Sequence, residues 1–256
     1  MEAIGSVAII GTGNVASHLG TALKDCGIRI TGVFGRNTLE AEALAKNWDC
    51  DVIPDLTELE ADLALICVSD DAVGEIAQRL PSGIKAAYTS GSVQLDIFPE
   101  SRVIGVFYPL QTFTKGKSVD IFQVPFLIEA KSDIFGQQLF DLAWKISRNV
   151  VFANSDIRKI YHLAAVWVNN FTNHMSYQAK ALLDDHHLNF DLLLPLLKET
   201  IDKLQHIQPY DAQTGPARRG DLTTIRKHEE LQDGLQKELY SLITKSIIDT
   251  YKNDKL

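Results

Sequence analysis

The stretch VAIIGTGNVASHLG, residues 7–20, constrains this chain more than any other. An apolar, strand-forming run ends in Gly11-Thr12-Gly13-Asn14-Val15-Ala16, a G-x-G-x-x-A spacing that opens onto a helical pattern. Each small residue has a physical task. Gly11 permits the tight turn, Gly13 removes the side chain that would obstruct a diphosphate, and Ala16 lets the helix pack close to the strand. Backbone N–H groups at the helix start then face the phosphates with the positive end of the helix dipole behind them. The turn predicts a dinucleotide-binding crossover with Gly11, Thr12, Gly13, Asn14 and Val15 around the diphosphate.

The rest of the first 152 residues agrees with that reading. The runs SVAII, IRITGVF, LALICV, AAYTS, VIGVFY, VPFLIEA and VVFAN alternate with helical stretches such as LEAEALAKNW and FGQQLFDLAWKI. This alternation predicts βαβ units in a mostly parallel α/β sheet of Rossmann type, with helices on both faces. After Asn154 the strand pattern stops, and helical spacing covers a long run from Asp156 to Leu183 and then about 190–207, 222–232 and 235–251. The expected organisation is a dinucleotide-binding domain, residues 1–153, followed by an all-α substrate or dimerisation domain, residues 154–256.

Composition excludes several classes. With 33 acidic against 25 basic residues the net charge is −8, which opposes a phosphate-backbone footprint and hence a nucleic-acid partner. No uncharged apolar run approaches the length of a membrane span, and the N-terminus opens with Glu2 instead of a basic leader, so a cytoplasmic protein is expected. Cys26, Cys50 and Cys67 lack metal or disulfide spacing and read as reduced thiols. Asp184-Asp185-His186-His187 reads as a solvated helix end, not a metal site, because adjacent helical side chains diverge by about 100°.

The end of the second strand selects the coenzyme. An acidic residue there would accept hydrogen bonds from a ribose 2′-hydroxyl, but the sequence is VFGRN. Gly35, Arg36 and Asn37 occupy the position, and the forked Arg36 donor suits a 2′-phosphate, so NADP is the expected cofactor. Two later strand ends should open onto the same sheet edge: Val68-Ser69-Asp70 beside ribose or nicotinamide, and Ser90 and Ser92 beside nicotinamide or substrate. Ordinary turn chemistry would use the same residue types.

Reduction by hydride also needs a proton donor. His162 is one candidate, in a stripe with Asn169, Asn173, Ser176 and Lys180 at helical spacing; a structural stripe at an interface is the other reading. Tyr108 is a second candidate, with an ordinary phenol pKa of about 10. Further on, TGPARRGD breaks the helical pattern at Gly215, Pro216 and Gly220, with Asp221 as the next N-cap. Its Arg218 and Arg219 suit a substrate carboxylate or an ion pair with Asp221.

With the glycine turn, VFGRN, YPLQTF (108–113), YHLAAVWVNNF (161–171) and TGPARRGD in this order, the chain resembles bacterial proteins classed as NADP oxidoreductases. These join a Rossmann-like domain to a helical domain of unknown function. The layout is more distantly similar to ketopantoate reductase, pyrroline-5-carboxylate reductase and the β-hydroxyacid dehydrogenases. That resemblance implies an oxidoreductase acting on a small carbonyl or imino acid, a homodimer through the helices, and Asn170 as a residue orienting substrate. Two departures stand out. If Asn170 matches the asparagine of the β-hydroxyacid dehydrogenases, Val166 stands where they carry a proton-donating lysine. Tyr108 stands where the NADP oxidoreductases usually carry histidine. The missing lysine motivates a second reading, a non-catalytic NADP-binding module that reports coenzyme occupancy to a partner.

Overall fold

The computed structural model describes residues 3–252. Eight strands form one sheet in the order β3-β2-β1-β4-β5-β6-β7-β8. They are β1 (Ser6–Ile10), β2 (Arg29–Phe34), β3 (Asp51–Val52), β4 (Leu63–Ile66), β5 (Lys85–Tyr88), β6 (Ile104–Pro109), β7 (Phe126–Ala130) and β8 (Val150–Phe152). All neighbouring pairs are parallel except β6 and β7. The β6–β7 connection, residues 110–125, carries only a 3-10 turn, and the chain returns antiparallel there, whereas the β5–β6 connection, also without an α-helix, still crosses over to a parallel strand. The chain runs outward from β1 through β2 to β3, then crosses to β4 on the other side of β1. That reversal places a topological switch point beside the carboxyl end of β1, where ligands bind in open α/β sheets.

Both sheet faces are buried. On one, α1 (Asn14–Asp25), α2 (Thr38–Trp48) and α4 (Asp133–Ile146) pack over Val7, Ile9, Leu65, Phe107 and Phe126. On the other, α3 (Asp70–Arg79) and Leu95 and Phe98 cover Ala8, Ile10, Ile66, Tyr88 and Val106. Alternate residues of one strand therefore serve two cores, which is why β1 and β4 read as unbroken apolar runs.

The chain divides into two compact units, Met1–Asn170 and Phe171–Leu256. The last strand ends at Phe152, and α5 (Ser155–Ala165) belongs to the first unit with the sheet. A π-helical segment, Val166–Phe171, follows it. The second unit is helical: α6 (Thr172–Asp185), α7 (Leu194–Asp202), the short α8 (Pro209–Ala212) and α9 (Pro216–Arg219), α10 (Leu222–Glu230) and α11 (Gly234–Tyr251). Asp221 caps α10 as its position suggested, accepting from the Thr224 N–H at 3.0 Å. No described helix is long and apolar enough to cross a membrane. All three cysteines are free, and burial pushes the Cys67 thiol up to about 12.

Candidate active site

The glycine turn carries the geometry its spacing implied. Gly11 has φ +125°, and a Cβ there would overlap the Cys67 carbonyl oxygen, so the residue serves both turn and close approach to β4. Ala16 is fully buried against the sheet. Gly13 is the N-cap of α1, with extended backbone and no side-chain cap, and a Cβ there would meet no protein atom within 4 Å. The first-turn N–H groups of α1 thus face open space past a residue without a side chain. This fits a diphosphate. The exposed Asn14 donates through Nδ2 to the Phe113 carbonyl at 2.9 Å, and Val15 is half-buried against the core.

At the end of β2, Gly35 packs so tightly on Thr12 that a Cβ would overlap its methyl group. Arg36 is exposed. Asn37 caps α2, its side chain accepting from Glu40 N–H at 3.3 Å. Glu40 accepts from Thr12 Oγ1 at 2.9 Å and pairs with Lys115 at 3.1 Å. Those two partners hold its carboxyl below the usual range, Thr12 first.

The loops after β4 and β5 meet. Val68 is half-buried, Ser69 is the N-cap of α3, and the exposed Asp70 accepts a hydrogen bond from Ser92 Oγ. Ser90 is buried, and its Oγ accepts from the N–H groups of Ser92 and Val93 at 3.1 and 3.0 Å. Its hydroxyl therefore shapes the loop. Between the serines lies Gly91, where a Cβ would stand 2.5 Å from His162 Nδ1 and 2.8 Å from Tyr108 Cζ. Tyr108 Oη and His162 Nδ1 are hydrogen-bonded at 3.0 Å, with the rings edge to face. The two donor candidates are one unit, packed against the only residue type that leaves them room. Tyr108 departs from its ordinary pKa: burial pushes it up, Asp70 adds to the rise, and Arg158 opposes it.

The anchor beneath this pair escaped the sequence reading. Arg158, one turn before His162 on α5, is 1% exposed and pairs with Glu129 of β7. Its other terminal nitrogen donates to the Val93 carbonyl. Ser155 donates to Glu129 at 2.9 Å and accepts from Leu95 N–H at 3.2 Å. Four bonds thus tie α5 to the sheet and to the segment that follows Gly91. A basic residue four before a histidine on an apolar helix was the available signal.

The proposed stripe on α5 and beyond is not regular. A π segment takes more residues per turn than an α-helix, so Asn169 and Asn170 leave the 3.6-residue phase counted from His162. Both asparagines are exposed, their amides 3.4 Å apart. Ser176 Oγ donates to the Thr172 carbonyl and Lys180 pairs with Asp184, so each is satisfied along its own helix.

In the second unit, Arg218 and Arg219 lie on the single turn α9, bounded by Gly215 at φ +103° and Gly220 at φ +67°. The Arg218 guanidinium sits 4.1 Å from the centre of the Tyr251 ring, whereas Arg219 is exposed. The Asp221 carboxylate is engaged by Thr224 N–H and Oγ1, and the Arg219 charge lowers its pKa as a lesser cause. His186 and His187 end α6, and no cluster of three metal-ligating side chains occurs among the described residues.

The sheet, the switch point and the uncapped glycine turn are those of a Rossmann-type dinucleotide-binding fold, and comparison with known proteins gives its class as an NAD(P)-binding oxidoreductase. Residues 6–82 match an oxidoreductase family with an NAD-binding Rossmann fold, and residues 124–247 match a domain of unknown function, DUF2520. A protein of Bacteroides fragilis described as a "putative NADP oxidoreductase" is 36% identical, over 96% of this chain and 98% of its own, with a TM-score of 0.89. This chain belongs to the same family, in which an NAD-binding Rossmann domain precedes a DUF2520 domain. A Thermotoga maritima protein shares the fold at 21% identity, covering 98% of this chain and 100% of its own, with a TM-score of 0.75. So does an imine reductase from Myxococcus stipitatus, solved in complex with NADP+, at 16% identity, 96% and 95% coverage and a TM-score of 0.70. The chain has no match among curated protein sequences.

Proposed function

We propose that the protein is an NADP(H)-dependent reductase of a small carbonyl or imino compound bearing a carboxylate. The observation that carries this is the Tyr108–His162 hydrogen bond of 3.0 Å, in the same unit as the glycine turn and beside the loops of the sheet's carboxyl edge. The coenzyme supplies the hydride that adds to the substrate carbon. The chain supplies the proton for the developing oxyanion or amide. Tyr108 donates it from a phenol that burial keeps protonated, and His162 replenishes it through Nδ1. Asn170 orients the substrate. Of the two arginines, Arg219 is the better carboxylate ligand because Arg218 is engaged with Tyr251.

Support for NADP over NAD lies at the end of β2. Arg36 is exposed there, and the nearby carboxylate, Glu40, is neutralised by Lys115. The coenzyme neighbours are Gly11, Thr12, Gly13, Asn14 and Val15 at the diphosphate, Gly35, Arg36 and Asn37 at the adenosine ribose, and Val68, Ser69 and Asp70 toward the nicotinamide. Ser90 acts there through the loop it holds.

The test is NADPH oxidation with a panel of 2-oxo, 3-oxo and cyclic imino acids. Turnover of at least one class, lost in Tyr108→Phe, is the expected result. Tight coenzyme binding without turnover across the panel favours the non-catalytic module instead. We also propose a homodimer: Ile160, Leu163 and Val168 in the first unit and Leu192, Leu196 and Leu242 in the second are each more than half exposed. Sedimentation at micromolar concentration would then give twice the chain mass, and a monomer would oppose it.

A further inference from the structure

The β6–β7 connection reaches back 99 residues to the start of α1. Asn14 Nδ2 donates to the Phe113 carbonyl at 2.9 Å, and His18 bonds through one ring nitrogen to the Lys117 carbonyl, also at 2.9 Å. The His18 ring lies 4.8 Å from that of Phe113, which is buried. This strap is pinned on both sides of Lys115. Lys115 Nζ meets Glu40 Oε1 at 3.1 Å, while Glu40 Oε2 accepts from Thr12 of the glycine turn at 2.9 Å.

The arrangement joins three segments that the sequence separates: the diphosphate turn, the first turn of α2 and the strap. It brings a carboxylate to the β2 end, where an acidic group accepts a ribose 2′-hydroxyl and repels a 2′-phosphate. Glu40 stands three residues beyond Asn37 and carries that chemistry into the site. Lys115 cancels its charge and offers a cation of its own.

We propose that Lys115 is a specificity-determining residue for the coenzyme's 2′-phosphate monoester, acting as a phosphate ligand and as the counter-charge that silences Glu40. This rests on the NADPH reading above. Glu40 pairs with the Lys115 ammonium, and the strap's bonds to α1 fix the backbone on either side of the lysine. Without Lys115, Glu40 becomes an uncompensated acceptor of the kind that favours an unphosphorylated ribose.

The experiment is a titration of the full chain with NADPH and with NADH, followed by nucleotide fluorescence, for the natural protein, Lys115→Met, Glu40→Gln and the double variant. Lys115 is exposed, so the substitution should leave the melting temperature in place. Lys115→Met is expected to weaken NADPH binding about tenfold or more while changing NADH binding less than about twofold. Adding Glu40→Gln should recover part of the NADPH loss, because the uncompensated carboxylate is then gone. Equal losses for both coenzymes, or no loss for either, would overturn the role of Lys115 and leave the NADPH reading intact. If the natural protein binds neither coenzyme, both fail together.

Discussion

Tyr108 on β6 and His162 on α5, 54 residues apart, share a hydrogen bond of 3.0 Å between Oη and Nδ1. Gly91 closes over both rings, and the Arg158–Glu129 pair sits one helical turn away. A polar pair this closely supported has few alternative conformations. Burial raises the phenol's pKa, so under the proposed reaction Tyr108 holds the proton and the His162 imidazole is placed to replace it.

Removing either partner should therefore cost turnover and spare coenzyme affinity. Tyr108→Phe and His162→Ala are each expected to lower kcat by 10² or more, roughly the contribution of a positioned acid. The double variant should lose little beyond the worse single one, since the two act as one unit. Steady-state kinetics beside NADPH titration checks this. Multiplicative losses would separate the residues.

The pH profile distinguishes the donors. Burial first, then Asp70, pushes the Tyr108 phenol above its ordinary value of about 10, so its proton is retained throughout the neutral and mildly alkaline range. The alkaline limb of kcat/KM should accordingly lie above about pH 10. A midpoint below about pH 8 would transfer the donor role to the imidazole.

Arg158 predicts the fate of the anchor. Arg158→Met leaves Glu129 largely buried without its cation, and breaking such a pair costs about 3–5 kcal/mol. Urea unfolding should show that loss, accompanied by reduced kcat. Pairing it with Glu129→Leu should restore much of the stability, because two apolar groups can occupy the space. A stability change below about 1 kcal/mol for the single variant would mean the pair does not hold α5.

Much of the sheet was legible because its signals are local. Unbroken apolar runs such as SVAII and LALICV mark strands buried on two faces, and G-x-G-x-x-A marks a crossover whatever lies elsewhere in the chain. The two-residue β3 was not legible, being too short to show a period. Nor was the antiparallel return of β7, since two connections without an α-helix, β5–β6 and β6–β7, give opposite strand directions. His162 and Tyr108 were recognisable singly, as residue types with suitable chemistry. Their contact, the crowding at Gly91 and the Lys115–Glu40 pair join residues far apart in sequence, and no local pattern encodes such distances. The π segment was hidden for another reason: apolar spacing at 3.6 residues counts straight through a widened turn.

The central claim is that the uncapped start of α1 holds a coenzyme diphosphate, and Gly13→Asp tests it most directly. Gly13 is an N-cap with extended backbone and open space around its missing Cβ, so aspartate there should cap the helix and keep or raise the melting temperature. The same carboxylate would occupy the first-turn N–H groups and repel the diphosphate. Calorimetric titration with NADPH is predicted to show binding to the natural protein and a loss of about a hundredfold or more in the variant. Equal affinity in the two proteins, or no binding to either, would contradict the account.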